Sequence, residues 1–249
     1  MSDLPATVPT MVPAPTQNTS IESARTTAIA EIQMQHAVAR TNPRINDVVR
    51  QRLLFECVTP ALAAKGIYSL PFGNEPVEGL TIRTAEAFLR ARGNMLTRVD
   101  ITGVFEAYEQ VRVTVTDLET MQVESDETIV RREIERKNPI GRTVLSRRQK
   151  VTKNGLEDVY IVSPTDAEMG GKRQSAISKL RRNLALRFMP FDLRVEVERR
   201  IRETMQDDAA KHPEERRRAM IDDFASLGVS AADLIEVIGQ PIESLSPAQ

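Results

Sequence analysis

Val111-Arg112-Val113-Thr114-Val115-Thr116-Asp117-Leu118-Glu119-Thr120 is the stretch that decides the fold class. Valine returns at every second position, the period of a strand with one buried face, and Asp-Leu-Glu-Thr breaks the alternation where a hairpin turn would stand. Met121 to Val130 reads as the returning strand, and the alternation begins upstream at Val99. Two or three antiparallel strands are therefore expected in the middle of the chain. Helical patterns flank them on both sides, so the expected class is α+β.

On the N-terminal side, Thr81 to Arg92 reads as an amphipathic helix stopped by Gly93-Asn94. Ile82, Ala85 and Leu89 form its apolar stripe, and Arg83, Glu86 and Arg90 share the other side. Ahead of it, Ile67 to Phe72 reads as a short strand closed by a turn at Gly73-Asn74-Glu75-Pro76. A single helix is expected from about Ile45 to Ala64, and another from Ile21 to Val38, ended by Asn42-Pro43. Residues 1–20 carry Pro5, Pro9, Pro13 and Pro15 without periodic apolar positions, which predicts a disordered arm.

On the C-terminal side, Asn138 to Gly155 is basic and punctuated by Pro139 and Gly141, which fits a mobile loop or a ragged hairpin. A long helix follows from Thr165 to about Met189, ended by Pro190, and another runs from Phe191 toward Ala210. Glu214 to Leu227 and Ser230 to Ile238 read as two short helices. The expected organisation is thus an arm over 1–20, a main domain over 21–210 and a small helical unit over 211–249.

Composition narrows the function classes. The 249 residues are 41% apolar and 28% charged, with no run near the ~18 apolar residues of a membrane span. Met1-Ser2-Asp3 opens without the basic and apolar regions of a secretory signal, so a cytoplasmic location is expected, without membrane association. Cys57 has no partner for an internal disulfide, and His36 and His212 are too few for a usual zinc site. No metal and no cofactor are expected.

The net charge of −1 conceals a division: residues 1–130 carry −5, residues 131–187 carry +9, and residues 188–249 carry −5. A localised cationic block points to an anionic partner, and nucleic acid comes first. Within it, the helix from Thr165 puts Ile177, Leu180, Leu184 and Phe188 on one side and Lys172, Lys179, Arg182 and Asn183 across the axis. Arg173, Arg181 and Arg187 flank the apolar stripe. Few carboxylates follow Glu168 on the basic side, whereas a merely solvated helix mixes signs. The basic loop adds Arg142, Arg147, Arg148, Lys150 and Lys153 in twelve residues, a density that suits a phosphate chain. Tyr68 and Phe72 stand near turns as candidate stacking residues, against core packing as the ordinary role of an aromatic ring.

Enzyme signatures fail. Gly170-Gly171-Lys172-Arg173 resembles the end of a phosphate-binding loop, but Asp166 replaces its first glycine and Arg173 its magnesium-binding Ser/Thr. No nucleophile elbow or His-Glu-x-x-His is present. Glu124, Asp126 and Glu127, or Asp207 and Asp208, are carboxylate groups of the kind that holds magnesium in nucleases, although exposed sequence neighbours are more often plain surface charge. The expectation is a protein that is not an enzyme.

Two stretches carry a resemblance. Ala64-Lys65-Gly66-Ile67-Tyr68-Ser69-Leu70-Pro71-Phe72-Gly73-Asn74-Glu75-Pro76-Val77-Glu78-Gly79 with Thr81 to Ala87, and Arg182-Asn183-Leu184-Ala185-Leu186-Arg187-Phe188-Met189-Pro190, resemble motifs of phage single-strand annealing recombinases of the RecT, Redβ and Erf type. Phe224 to Gly239 is similar to the helical appendix of some RecT-like proteins. The resemblance implies a curved antiparallel sheet backed by helices, with DNA in a basic groove. It implies annealing of complementary single-stranded DNA without ATP, as a homo-oligomeric ring or filament in the cytoplasm of a bacterial host. By the same resemblance Arg83 belongs to the helix after the turn, and Arg182 and Asn183 to the groove-side helix. The appendix would meet a host single-strand-binding protein or the phage exonuclease. The chain departs from the pattern at Phe72, where a basic residue is expected. Two other readings of the residues remain open: a single-strand-binding or regulatory module that does not anneal, and a nuclease whose carboxylates meet only in three dimensions.

Overall fold

Alternating burial along Tyr108–Asp117 organises the molecule. In the computed structural model, which describes residues 17–73, 75–139, 141–152, 155–211 and 213–241, this strand is the centre of a three-stranded antiparallel sheet. The elements run α1 (Gln17–Thr41), α2 (Asn46–Cys57), α3 (Pro60–Gly66), β1 (Ile67–Phe72), β2 (Glu75–Leu80), α4 (Ile82–Arg92), β3 (Met95–Val104), β4 (Tyr108–Asp117) and β5 (Val123–Arg131). There follow β6 (Ile134–Arg136), β7 (Val144–Thr152), β8 (Gly155–Val162), α5 (Asp166–Arg187), α6 (Phe191–Lys211), α7 (Pro213–Ser226) and α8 (Ala231–Ile238). The class is α+β, as the sequence predicts.

The expected single curved sheet is instead three small antiparallel sheets, β1-β2, β3-β4-β5 and β6-β8-β7, none strongly curled. Between α2 and α3, Pro60 cannot continue the α2 ladder but suits the first turn of a new helix, so the expected helix over Ile45–Ala64 is two. The expected turn at Gly73–Pro76 is tighter than the composition suggests: Glu75 and Pro76 already belong to β2, where Pro76 pairs with Pro71. The basic segment is the hairpin β7–β8, ragged by a register shift between Val144 and Ser146. Residues 1–16 of the expected arm lie outside the described residues, and Gln17 to Ser20 already belong to α1.

The core forms where α5 crosses β4. Val113 and Val115 face Phe88 of α4, Leu53 of α2, Leu180 and Leu184 of α5, Phe188 just after α5, and Leu193, Val197 and Ile201 of α6, all buried. Each such side chain stabilises the fold by about 1.5–3 kcal/mol relative to exposure. A satellite cluster of Val111, Val130 and Met169 extends the contact along α5. Gly93 ends α4 at φ +64°, and the chain turns into β3.

The inward row of β4 begins and ends with buried carboxylates, Glu109 and Asp117. Asp117 accepts a bidentate pair from Arg44 at 2.7 and 2.5 Å and a bond from Arg92 at 2.9 Å. Arg44 also reaches Glu119 at 2.8 Å, and Asn94 bridges Glu119 to the carbonyl of Asn42. The His36 ring bonds the Leu118 carbonyl at 2.5 Å. One polar knot thus joins the α1–α2 connection, the end of α4 and the β4–β5 turn. Burial would raise the Asp117 carboxyl, but the Arg44 and Arg92 hydrogen bonds outweigh it and hold the pKa at about 2.

Past α6 the chain makes α7 and α8, whose one buried residue among those described is Leu234. A capping box at Ser230 and Asp233 starts α8. Among the described residues no helix is long and apolar enough to cross a membrane.

Candidate nucleic-acid interface

The site is built on α5. Thr165 caps the helix with its hydroxyl on the Glu168 amide, and Glu168 answers on the Thr165 amide. Leu180, Leu184 and Phe188 are buried and Ile177 is partly buried, so the opposite stripe turns away from this core as the wheel predicts, with Lys179 and Asn183 exposed and Lys172 and Arg182 half-buried. Lys172 and Lys179, with Gly171, Ser175 and Ala176, form one wall of a groove of about 1040 Å³. Its other walls are β5 from Thr128 to Arg131, Glu133 to Glu135, and Ser146, Arg148 and Ile161 of the last sheet.

The cationic block is mostly matched by carboxylates once folded. Glu168 receives Arg142 at 2.9 and 3.1 Å and also Arg136. The Thr165 amide, then Arg142 and Arg136, hold its carboxyl well below the usual carboxylate range. Arg148 and Lys150 share Glu135, which their hydrogen bonds also hold low, Lys150 first. Arg147 pairs with Asp158 and lies 5.7 Å over the Tyr160 ring. Lys137 pairs with Glu157 at 2.6 Å. Arg173 reaches across to buried Glu109 at 2.8 Å, beside Arg132 at 3.3 Å. Lys172 is a strut whose ammonium donates to the carbonyls of Arg131 and Glu133, each at 2.6 Å.

Besides Lys172, three described cations of the expected set are not held by carboxylates. Lys179 is exposed on the groove wall, and Arg83 is exposed on the first turn of α4; neither has a hydrogen-bond or ion-pair partner among the described residues. Arg182 bonds the Asn183 amide oxygen and lies 5.0 Å over the Tyr68 ring. Thr81 and Thr84 bond the carbonyls of Lys65 and Gly66, which brings the turn bearing Arg83 to the start of the strand bearing Tyr68. Lys179, Arg182 and Asn183 then continue the groove wall along α5 toward the β1–β2 hairpin at helical spacing.

Tyr68 is placed differently from a free stacking platform. Arg182 covers its ring, and its hydroxyl end lies so close to its cross-strand partner Gly79 that a Cβ there would sit 3.0 Å away. The backbone of Phe72 ends β1 opposite Glu75, and its side chain and Lys153 lie outside the described residues. The carboxylates of β5 behave as framework: Arg187 holds Glu124 at 3.1 Å and Asp126 at 3.9 Å, and Arg112 holds Glu127 at 2.8 Å. Among the described residues no three His, Cys, Asp or Glu side chains gather as a metal-ligand set.

Sequence reasoning missed the acids that neutralise the basic segment. One signal was available: in Tyr108–Asp117 the inward positions of the alternation include Glu109 and Asp117, and a buried carboxylate requires a cation. The chain matches no protein-family model, no curated protein and no solved structure, so its likeness to annealing recombinases stands on the motifs quoted above.

Proposed function

We propose that the protein binds single-stranded DNA along the exposed stripe of α5 and anneals complementary strands without ATP, as a homo-oligomer in phage recombination. The single observation that supports this most is the line from the groove wall at Lys179 to Arg182 and Asn183, which lacks carboxylates in a protein that pairs most of its other nearby cations. Such a line follows a phosphate chain and leaves base edges outward. A second strand then tests pairing, and stacking of about 1.4 kcal/mol per base step drives completion with no catalytic group. On this reading the protein works in the cytoplasm of a bacterial host. The acidic C-terminal unit meets a host single-strand-binding protein or the phage exonuclease rather than DNA.

A binding module that does not anneal is favoured by one observation, the internal pairing of Arg142, Arg147, Arg148, Lys150 and Arg173, which leaves few cations for phosphates. With three to four contacts, log K falls against log salt with a slope of about −2 to −3. Anisotropy of a labelled oligonucleotide across a salt series measures this, and Lys179→Ala with Arg182→Ala should reduce the slope by about 1.4, to about −1, while the melting transition is kept. A flat salt response, or normal binding by the double variant, would refute the interface. Annealing of complementary oligonucleotides without ATP then separates the two readings: binding without annealing leaves the module.

A further inference from the structure

The groove beside α5 sets four cations, Arg131, Arg148, Lys172 and Lys179, against three carboxylates. A phosphate chain in this groove meets the acids as well as the cations, so the way each acid is held decides what it does to a strand. Glu168 is fastened: the Thr165 amide and hydroxyl donate to it beside Arg142 and Arg136, and it closes the cap of α5. Glu133 stands loosely, its carboxylate 3.6 Å from Arg131, while its backbone carbonyl receives Lys172. Glu135 is held by cations alone. One of its oxygens accepts from Arg148 and the other from Lys150 at 2.8 Å, with no backbone donor among the described residues.

Strand alternation brings these three side chains together. Ile161 of β8 pairs with Glu135 on one side and with Ser146 on the other, and the period of two puts Arg148 and Lys150 on the Ser146 face of β7. Glu135, Ser146, Arg148 and Ile161 all line the groove, across from the α5 wall that carries Lys179. Arg148 and Lys150 are 59% and 55% exposed, and Glu135 is 30% exposed. Ion pairs this open to water change an equilibrium constant by about fivefold or less, so a competing anion can take the place of the acid. A phosphodiester is such an anion: it carries one negative charge on two oxygens, as the carboxylate does, and arginine binds either group through the same pair of bonds.

We propose that Glu135 is an internal phosphate mimic: in the free protein its carboxylate fills a phosphodiester subsite formed by Arg148 and Lys150, and a nucleic-acid strand enters that subsite by displacing it. The inference rests on the nucleic-acid reading of α5 and adds a second rail across the groove from Lys179. Displacement exchanges one anion for another, so it releases no net counterion and leaves the wild-type salt slope at about −2 to −3. The displaced carboxylate stays tethered beside its cations and competes with the strand throughout its stay, which favours release.

Anisotropy of a labelled single-stranded oligonucleotide across a salt series tests the mimic. Glu135→Gln should bind about fivefold tighter than the wild type near 0.1 M salt, with a slope steeper by about 0.7, because one more phosphate is neutralised with no acid to displace. Glu135→Ala, which leaves no side-chain oxygen in the subsite, should gain at least as much, and adding Arg148→Ala with Lys150→Ala should remove the gain. Glu127→Gln makes the same change in net charge at a pair of similar exposure, but Arg112 and Glu127 lie on the face of β4 and β5 turned away from α5, so its binding should match the wild type. The melting temperatures of Glu135→Gln and Glu127→Gln should stay at the wild-type value, since both pairs are exposed. Wild-type affinity and slope in both Glu135 variants would overturn the mimic and leave the α5 interface standing. An equal gain in Glu127→Gln would reduce the effect to net charge and overturn it as well. No binding by the wild type or by any variant would remove the α5 reading itself, and the mimic with it.

Discussion

Asp117→Asn isolates the polar knot that ties three parts of the fold together. The wild-type carboxylate is fully buried and neutralises Arg44 and Arg92, whose own exposure is slight. An amide of the same shape keeps a hydrogen bond but leaves half-buried Arg92 without an anion and Arg44 with Glu119 alone. Removing one partner of a buried ion pair costs about 3–5 kcal/mol, a large part of a typical stability of about 5–15 kcal/mol. The pH dependence gives a second, independent magnitude. The carboxyl falls from 3.8 to about 2 on folding, so the ionised group contributes about 2 kcal/mol that is present above pH ~5 and lost as pH falls toward 2. The variant cannot lose what it lacks. Urea unfolding of both proteins at pH 7 should differ by about 3–5 kcal/mol, and the gap should narrow by about 1 kcal/mol at pH 3. A gap under about 1 kcal/mol at pH 7, or one that does not change with pH, would show that Arg44 and Arg92 find water or other acceptors and that the knot is not closed.

Other substitutions probe the remaining layers. Leu184→Ala should destabilise by about 2–5 kcal/mol in thermal or urea melts, because the side chain is fully buried between β4 and the helices, while the cationic stripe on the far side of α5 is kept. Gly66→Ala should cost about 1–3 kcal/mol by the same measurement, since its Cβ would sit 2.9 Å from the Cδ1 of buried Ile201 and 3.1 Å from the Thr84 hydroxyl. Deletion of residues 212–249 should leave oligonucleotide annealing in vitro nearly unchanged and reduce recombination in cells; loss of annealing by the purified truncation would put the unit in the groove or the assembly contact.

Periodicity alone determined the class, the order of most elements and the two faces of α5. Valine at alternate positions of β4 and leucine at helical spacing on α5 have one way each to bury their apolar rows, so local sequence suffices. Pro60 and the Gly73–Pro76 segment were legible only in part, because proline is compatible with both a break and a helix start, and with both a turn and the edge of a two-stranded hairpin. What the +9 segment amounts to was decided by tertiary structure. Glu109 and Glu124 lie far from Arg173 and Arg187 along the chain, and only the packing of α5 on β4 and β5 brings each acid to its cation. Sequence counts charge, but a Coulomb interaction depends on separation in space, and folding sets that separation. The same reason hid the mounting of α1: its apolar stripe reads as an ordinary buried face until Arg44, Asp117 and Asn94, distant in sequence, fix the helix where its outer turns are exposed among the described residues.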